Sequence, residues 1–545
     1  MKLFLKIFFI SLFVLSNLCF AQINNIFSVN SFKKNLDVLG SDLFEGRGTG
    51  STGGYLAANY LAQEFAKLNL KPAGYNGTYY QHIPFHASKA LKSSSLILYS
   101  GNEQTRLELN EDYLLYKSGD QTFIPTPLEL VFAGYGIIAP EFDYNDYLSI
   151  ETQGKIVVML EGEPASEDPL YFDGELPTVY TYPESKIRIA ISRGAAGAII
   201  IPYPLSNKFY NWNNYKRQFA FEDLTLAYSV TGNLGMLMKP ETAEKLFYNS
   251  GKSLSEIFKL ASENKISSFS LSTKISFKGE FKRRDFVAPN IIGMIEGSDA
   301  ELKNEYVIVS AHYDHLGIGP AVNGDSVYNG VFDNAAGVSA LLEIAAHISK
   351  MKTAPKRSII FLLVTAEEKG LLGSIYYTDH PAVPLYKTTA NINIDGIASF
   401  DRFKSIIGIG SRYSTLINIL ESSSAKQNLT VVPIPPIFKQ TEAFNRSDQI
   451  AFANAGIPSV LVLEAPYFEN LSEEEGYKKI IEYEENIYHS PFDDLSQTIN
   501  YEAAAQHINF LYQFIIDVAN TNENPEWNPG TPYINERLRS IAEKR

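Results

Sequence analysis

Apolar positions recur along this chain in two rhythms, and the change from one to the other divides the sequence. Between Ser31 and Leu70 the residues Tyr55, Leu56, Ala58, Tyr60, Leu61 and Phe65 fall near one face of a 3.6-residue repeat, which predicts helix. Ahead of them lies Glu45-Gly46-Arg47-Gly48-Thr49-Gly50, a glycine-rich loop. From Leu96 to Lys282 short β-type runs such as LVFAGYGIIAP, GKIVVML and GAAGAIIIPYP are divided by Gly, Pro and Asn, which predicts a separate β-rich insert. From Ala288 onward strand-like runs (NIIGMIEG, YVIVSAH, RSIIFLLVTAEE, TANINID, PSVLVLEA) alternate with helix-like runs at Val338 to Ser349 and Ala503 to Val518. Apolar strands alternating with helices predict an α/β fold, a mostly parallel central sheet flanked by helices. Residues 521–545 are polar and read as a surface tail.

The opening Met1 to Gln22 follows neither rhythm. Lys2 and Lys6 precede an apolar run from Ile7 to Leu18, and Cys19-Phe20-Ala21 has the small-x-small form of a cleavage site. Residues 1–21 are therefore expected to be a cleaved export signal, placing the protein in the periplasm or outside the cell. A lipid-modified Cys19 is the alternative, disfavoured by the bulky Leu18 before it. Cys19 is the only cysteine, so cleavage leaves neither disulfide nor thiolate, and any metal must be held by His and carboxylates. The formal charge of −14 becomes −16 once Lys2 and Lys6 are removed. Such an acidic chain, without a basic run, argues against nucleic acid as a partner. No second stretch reads as transmembrane. With 45% hydrophobic and 20% charged residues, the 545-residue chain has the balance of a globular protein of two or three domains.

Chemistry gathers where predicted strands end. YVIVSA runs into His312-Tyr313-Asp314, RSIIFLLVTA into Glu367-Glu368, and TANINI into Asp395. Open α/β sheets build sites at the carboxyl ends of their strands. Asp333 opens the helical run FDNAAGVSALLEIAAHI, and His489 lies in the loop YHSPFDD. Taken singly, Asp333 reads as a helix cap, Glu367-Glu368 as solvated charge, Asp395 as a turn former and His489 as a loop histidine. His82, His86, His315, His347, His380 and His507 read as structural or surface residues. The ensemble carries the case. Two zinc ions roughly 3.5–4 Å apart need a bridging carboxylate, for which Asp333 is suited, with imidazoles and carboxylates on either side. Asp314 is placed to accept the second N–H of His312 and fix its tautomer. Glu367 and Glu368, adjacent at a strand end, are expected to face opposite ways, so a carboxylate not spent on metal is available as general base.

His312-Tyr313-Asp314, Asp333-Asn334-Ala335-Ala336-Gly337, Glu367-Glu368-Lys369-Gly370-Leu371, Asn393-Ile394-Asp395 and Tyr488-His489-Ser490 resemble the ligand motifs of the two-zinc aminopeptidases of metallopeptidase clan MH, family 28. The spacings are similar as well: 21 residues from His312 to Asp333, 34 from there to Glu367, and 27 from Glu368 to Asp395. The resemblance implies that Asp333, Glu368 and His489 hold one zinc, that His312, Asp333 and Asp395 hold the other, and that Glu367 is the base. It implies an exopeptidase that hydrolyses amino-terminal residues from peptides by a metal-activated water. It also implies a peptidase domain split into residues 22–95 and 283–520 by a protease-associated domain at 96–282. Gln449, where many relatives carry histidine after Ser-Asp, is a departure expected to bear on the substrate pocket. A carboxypeptidase or dipeptidase of the same fold, a one-zinc glutaminyl cyclase and a non-enzymatic binding protein are the competing readings.

Overall fold

The computed structural model describes residues 27–116, 123–168, 170–172, 178–203, 211–229, 234–435 and 444–544. The signal-type segment, with Cys19 and the cleavage site after Ala21, lies outside the described residues.

One large sheet carries the site. Its strands run in the order Asp223–Leu226, Tyr80–Ala90, Phe281–Ile295, Ser358–Val364, Tyr306–His312, Thr388–Asn393, Ser459–Glu464, Ser405–Ile409, Thr430–Val431. The four central strands from Ser358–Val364 to Ser459–Glu464 are parallel. The Asp223–Leu226, Tyr80–Ala90 and Phe281–Ile295 flank is antiparallel, as is the step to Ser405–Ile409. The sheet is thus mixed, with parallel pairing confined to the centre and to the Thr430–Val431 edge. The antiparallel flank arises because its long strands on either side of the insert pair directly, Tyr80 to Ala90 against Ile291 to Phe281.

Both faces are buried, for the reason the apolar runs suggest. Along the central strands, Val307, Val309, Ile359, Phe361 and Leu363 enter one core. The intervening Ile308, Ile360, Leu362 and Val364 enter another. This is period-two alternation with no wet side. Helices Thr52–Lys67, Ala336–Ile348 and Tyr501–Asn520 contribute to the first core. Leu372–Asp379 and Gln449–Asn454 cover the second through Tyr377 and Phe452. In the Thr52–Lys67 helix the buried stripe is Ala57, Ala58, Leu61, Ala62 and Phe65. Tyr55 and Leu56, expected on that face, are exposed, because at 3.6 residues per turn they fall outside the stripe through Ala58, Leu61 and Phe65. Among the described residues one helical stretch, Val331–Ile348, is long and apolar enough to cross a membrane, and 89% of it is buried inside the protein.

A second, eight-stranded sheet is built wholly from residues between Ser95 and Lys278, with its own cores on either face. One part of this stretch leaves it: Asp223–Leu226 pairs with Phe85–Ser88 at the edge of the large sheet. The carboxyl end also departs from the expected tail. Trp527 is buried and donates to the Gly456 carbonyl, and Arg537 of the Ile534–Glu543 helix donates to the Leu385 and Thr388 carbonyls. Two side chains reaching backbone acceptors dock a segment whose polar composition hides them.

Candidate active site

The carboxyl ends of the central strands converge on one cluster. His312 closes its strand, and the ladder runs one step beyond, through Tyr313 N–H to Val364 O and Ile394 N–H to Ser310 O. This brings the chain after each strand to the same level. His312 Nε2 lies 3.1 Å from Asp395 Oδ1 and 3.2 Å from Asp333 Oδ1. His489 Nε2 lies 3.2 Å from Asp333 Oδ2 and 3.1 Å from Glu368 Oε2. Asp333 therefore stands between two imidazoles, one on each carboxylate oxygen. All five residues expected as a ligand set are brought together, in two groups that share Asp333.

A further histidine joins them. His315 Nδ1 is 2.6 Å from Glu368 Oε1 and 3.9 Å from Asp333 Oδ2, and its buried Nε2 has no hydrogen-bond partner. By sequence, His315 reads as a structural or surface residue. It is fully buried against Glu368, and its spacing of three from His312 was the only sequence signal.

Asp314 departs from expectation. His312 Nδ1 faces the backbone carbonyl of Asp314, at 3.1 Å, and not its carboxylate. The carboxylate instead accepts from Thr49 Oγ1 and from the Glu367 N–H. Asp314 thus orients the imidazole through its main chain and the glutamate turn through its side chain. The turn itself replaces the expected strand alternation of Glu367 and Glu368. The strand stops at Val364, Ala366 adopts φ +59°, and the Glu367 carbonyl accepts from Gly370 and Leu371.

Side chains directed at backbone fix the remaining loops. Arg47, fully buried, donates to the carbonyls of Leu39, Tyr313, Asn329 and Gly330. Gly46 beside it has φ +62°, and a Cβ there would lie 2.1 Å from the Tyr328 carbonyl oxygen, so only glycine fits. Asp333 caps no helix. The Asp493 carboxylate accepts from the Phe332 and Asp333 N–H groups, and Asn334 donates to Ile394 O while accepting from Gly396 N–H. Asn334 thereby grips Asp395 from both neighbours. Gln449 is buried; it accepts from Asn393 Nδ2 and donates to Phe444 O, so the side chain at this position braces a strand end.

The electrostatics follow from crowding acids and imidazoles together. Burial opposes the charge on His312, but Asp395 and Glu367 outweigh it and hold the imidazole well above its ordinary value. Burial likewise opposes the charge on His489, yet Glu368 and Asp333 raise it to about 10. Burial would raise Asp333, but bonds from His312 and His489 pull it well below the usual carboxylate range. Glu368 is lowered in the same way, by His489 and His315 against burial. Glu367 goes the other way: burial raises it well above the ordinary value, His312 opposes, and Glu368 adds to the rise. Burial also lifts Asp448, to about 7. Glu368, held ionised, and Glu367, reluctant to ionise, are adjacent glutamates in unlike states.

Residues 290–515 match the family model described as peptidase family M28. That segment is similar to the peptidase domains this family model describes. Among curated proteins, "probable leucine aminopeptidase 2" of Aspergillus oryzae is 28% identical over 247 residues, which is 43% of this chain and 45% of that protein. Aminopeptidase YwaD of Bacillus subtilis is 34% identical over 112 residues, 20% of this chain and 22% of that one. The chain thus spans less than half the length of these curated relatives. Among solved structures, an aminopeptidase from Aneurinibacillus sp. strain AM-1 shares the fold at a TM-score of 0.56 and 18% identity, covering 94% of this chain and 99% of that chain. The matched segment holds every residue of the cluster from His312 to Asp493; Arg47 and Thr49, which brace it, precede that segment.

Proposed function

We propose that this protein is a di-zinc aminopeptidase that removes residues from the amino ends of peptides. The observation that carries the reading is the shared carboxylate: Asp333 offers one oxygen to a His312–Asp395 group and the other to a His489–Glu368–His315 group. Nitrogen and carboxylate donors without thiolate suit zinc, and an aspartate standing between two such groups suits a bridge. Asp333, Glu368 and His489 would hold one ion, with His315 beside them, and His312, Asp333 and Asp395 the other. When bound, the ions supply Lewis-acid polarisation of the scissile carbonyl and acidify water at neutral pH. Glu367, adjacent to this donor set but outside both groups, takes the proton of the attacking water and returns it to the leaving amine. Asp448, a buried acid beside Glu367 and outside both donor groups, is available to pair with a substrate ammonium, which favours an amino end over a carboxylate end.

The test separates roles. Glu367→Gln, nearly isosteric, should lose about 10²–10⁴-fold in kcat on aminoacyl 4-nitroanilides while zinc content stays near that of the wild type. Asp333→Ala should lose both zinc and rate. Should Glu367→Gln shed zinc and Glu368→Gln keep it, base and ligand are reversed; full activity in Glu367→Gln refutes the mechanism. Equal cleavage of N-acetylated and free peptides would point to the carboxypeptidase reading instead. Export with cleavage after Ala21, and a protease-associated character for the inserted sheet, are part of the same proposal. The mass of the mature chain checks the first.

A further inference from the structure

The insert does more than stand beside the site. Between its sheet strands, residues 221–228 are built into the catalytic body. Glu222 receives Arg284 through both carboxylate oxygens, and Arg284 also donates to Gly50 O of the glycine-rich loop. Leu224 and Leu226 lie in a buried cluster with Ala366, the residue immediately before Glu367. The Phe221 ring meets Tyr328 edge-on at 5.0 Å between centroids, and the Lys369 ammonium sits 5.2 Å from its centre. Ala366 and Lys369 bracket Glu367 and Glu368.

Ala366 has φ +59°, a left-handed conformation that an L-alanine holds only when its surroundings over-determine it. Two of the restraints are polar and belong to the main domain: Thr49 Oγ1 receives the Ala366 N–H, and Asp314 receives the Glu367 N–H. The third is apolar and comes partly from the insert. We infer that Phe221 and Leu224 are positioning residues for the Ala366–Lys369 turn, so that the insert sets the attitude of the two glutamates and acts on the chemical step. The inference rests on the proposed peptidase function for its kinetic consequence, but the ordering of the turn is independent of it.

Three variants and two readouts test it on the full chain. Phe221→Leu keeps apolar bulk and loses the ring face; Lys369→Met, at a half-buried position, removes the cation, and Lys369→Arg preserves it. A contact of this kind is worth roughly a 3- to 30-fold equilibrium shift. Amide exchange at Gly370, Leu371 and Leu372, whose N–H groups close the turn onto Glu367 and Ala366, should therefore rise about 3- to 30-fold in Phe221→Leu and Lys369→Met and stay near wild type in Lys369→Arg. With a short aminoacyl 4-nitroanilide and zinc-loaded protein, kcat should fall by a similar factor with KM little changed. Unaltered exchange at these three amides in both Phe221→Leu and Lys369→Met overturns the inference even if hydrolysis is robust, and so does a change confined to KM. A wild-type protein inactive on every peptide substrate would count against the proposed function, and the exchange data would then decide the positioning role alone.

Discussion

Arg47 offers the sharpest test of how the site is held. Its guanidinium is fully buried and spans four carbonyls, at 2.5–2.8 Å, from the end of the Val29–Leu39 helix, from the turn after His312 and from the turn before Asp333. Burial lowers its pKa to about 10, so it stays charged at neutral pH, helped by Asp493, Asp333 and Asp314. In Arg47→Met the side chain still fills space, but four buried acceptors lose their donor. At roughly 1 kcal/mol or more for each orphaned group, less the relief of a desolvated cation, the net loss is about 3–5 kcal/mol. Against a typical total of about 5–15 kcal/mol this is a large fraction. Arg47→Lys keeps the charge but concentrates its donors at one point, which does not serve four separated carbonyls, so an intermediate loss is expected. Urea unfolding followed by tryptophan fluorescence measures both. A loss below about 1 kcal/mol for Arg47→Met would refute the accounting, because it would mean that water or relaxation satisfies those carbonyls without the guanidinium.

Two further outcomes follow from groups behind the site. Asp493→Asn keeps the size of the side chain but turns an amide toward one of the two N–H groups it now accepts, from Phe332 and Asp333; zinc affinity should fall about 10–100-fold by chelator competition, and an unchanged affinity would show that the Asp333 turn holds itself. His507 is buried, accepts from the Ala398 N–H at Nδ1 and faces Val462 O at Nε2, and burial lowers it to about 4. The unfolded chain binds its proton near pH 6.5 and the folded one only near 4, so stability is intact above pH 6.5 and declines between 6.5 and 4, by up to about 3 kcal/mol. His507→Gln should flatten that slope relative to wild type, and identical slopes would exclude His507 as its source.

Much of the catalytic body was legible because its strands are buried on both faces, which writes uninterrupted apolar runs into the sequence. Those runs end in His312, Glu367-Glu368 and Asp395, and the structure brings the three ends together with Asp333 and His489. The antiparallel flank was not legible, since pairing across the insert depends on contacts some two hundred residues apart, such as Tyr80 with Ile291. Nor was the departure of Asp223–Leu226 from the insert, because a four-residue apolar strand looks the same whichever sheet it joins. His315 was passed over because a single histidine in a loop carries no period.

The residues that brace the cluster were the least legible, and their chemistry explains why. A metal donor at neutral pH in a thiol-free site must be an imidazole or a carboxylate, so the choice of residue type is narrow and the eye finds it. A brace need only give or receive one hydrogen bond at a backbone group, and Arg47, Thr49, Asn334, Asp493 and Gln449 do so with four different functional groups. Nothing in their spacing repeats, because each answers to a backbone atom fixed by another segment. The same freedom suits Gln449 to its place: it accepts from Asn393 and donates to Phe444 O, and an amide does both without a titrating proton. A site of this kind is specified twice, once by a few residue types that chemistry demands and once by many that geometry alone selects. Sequence pattern reports the first set, and the second becomes visible only when the backbone it grips has been placed.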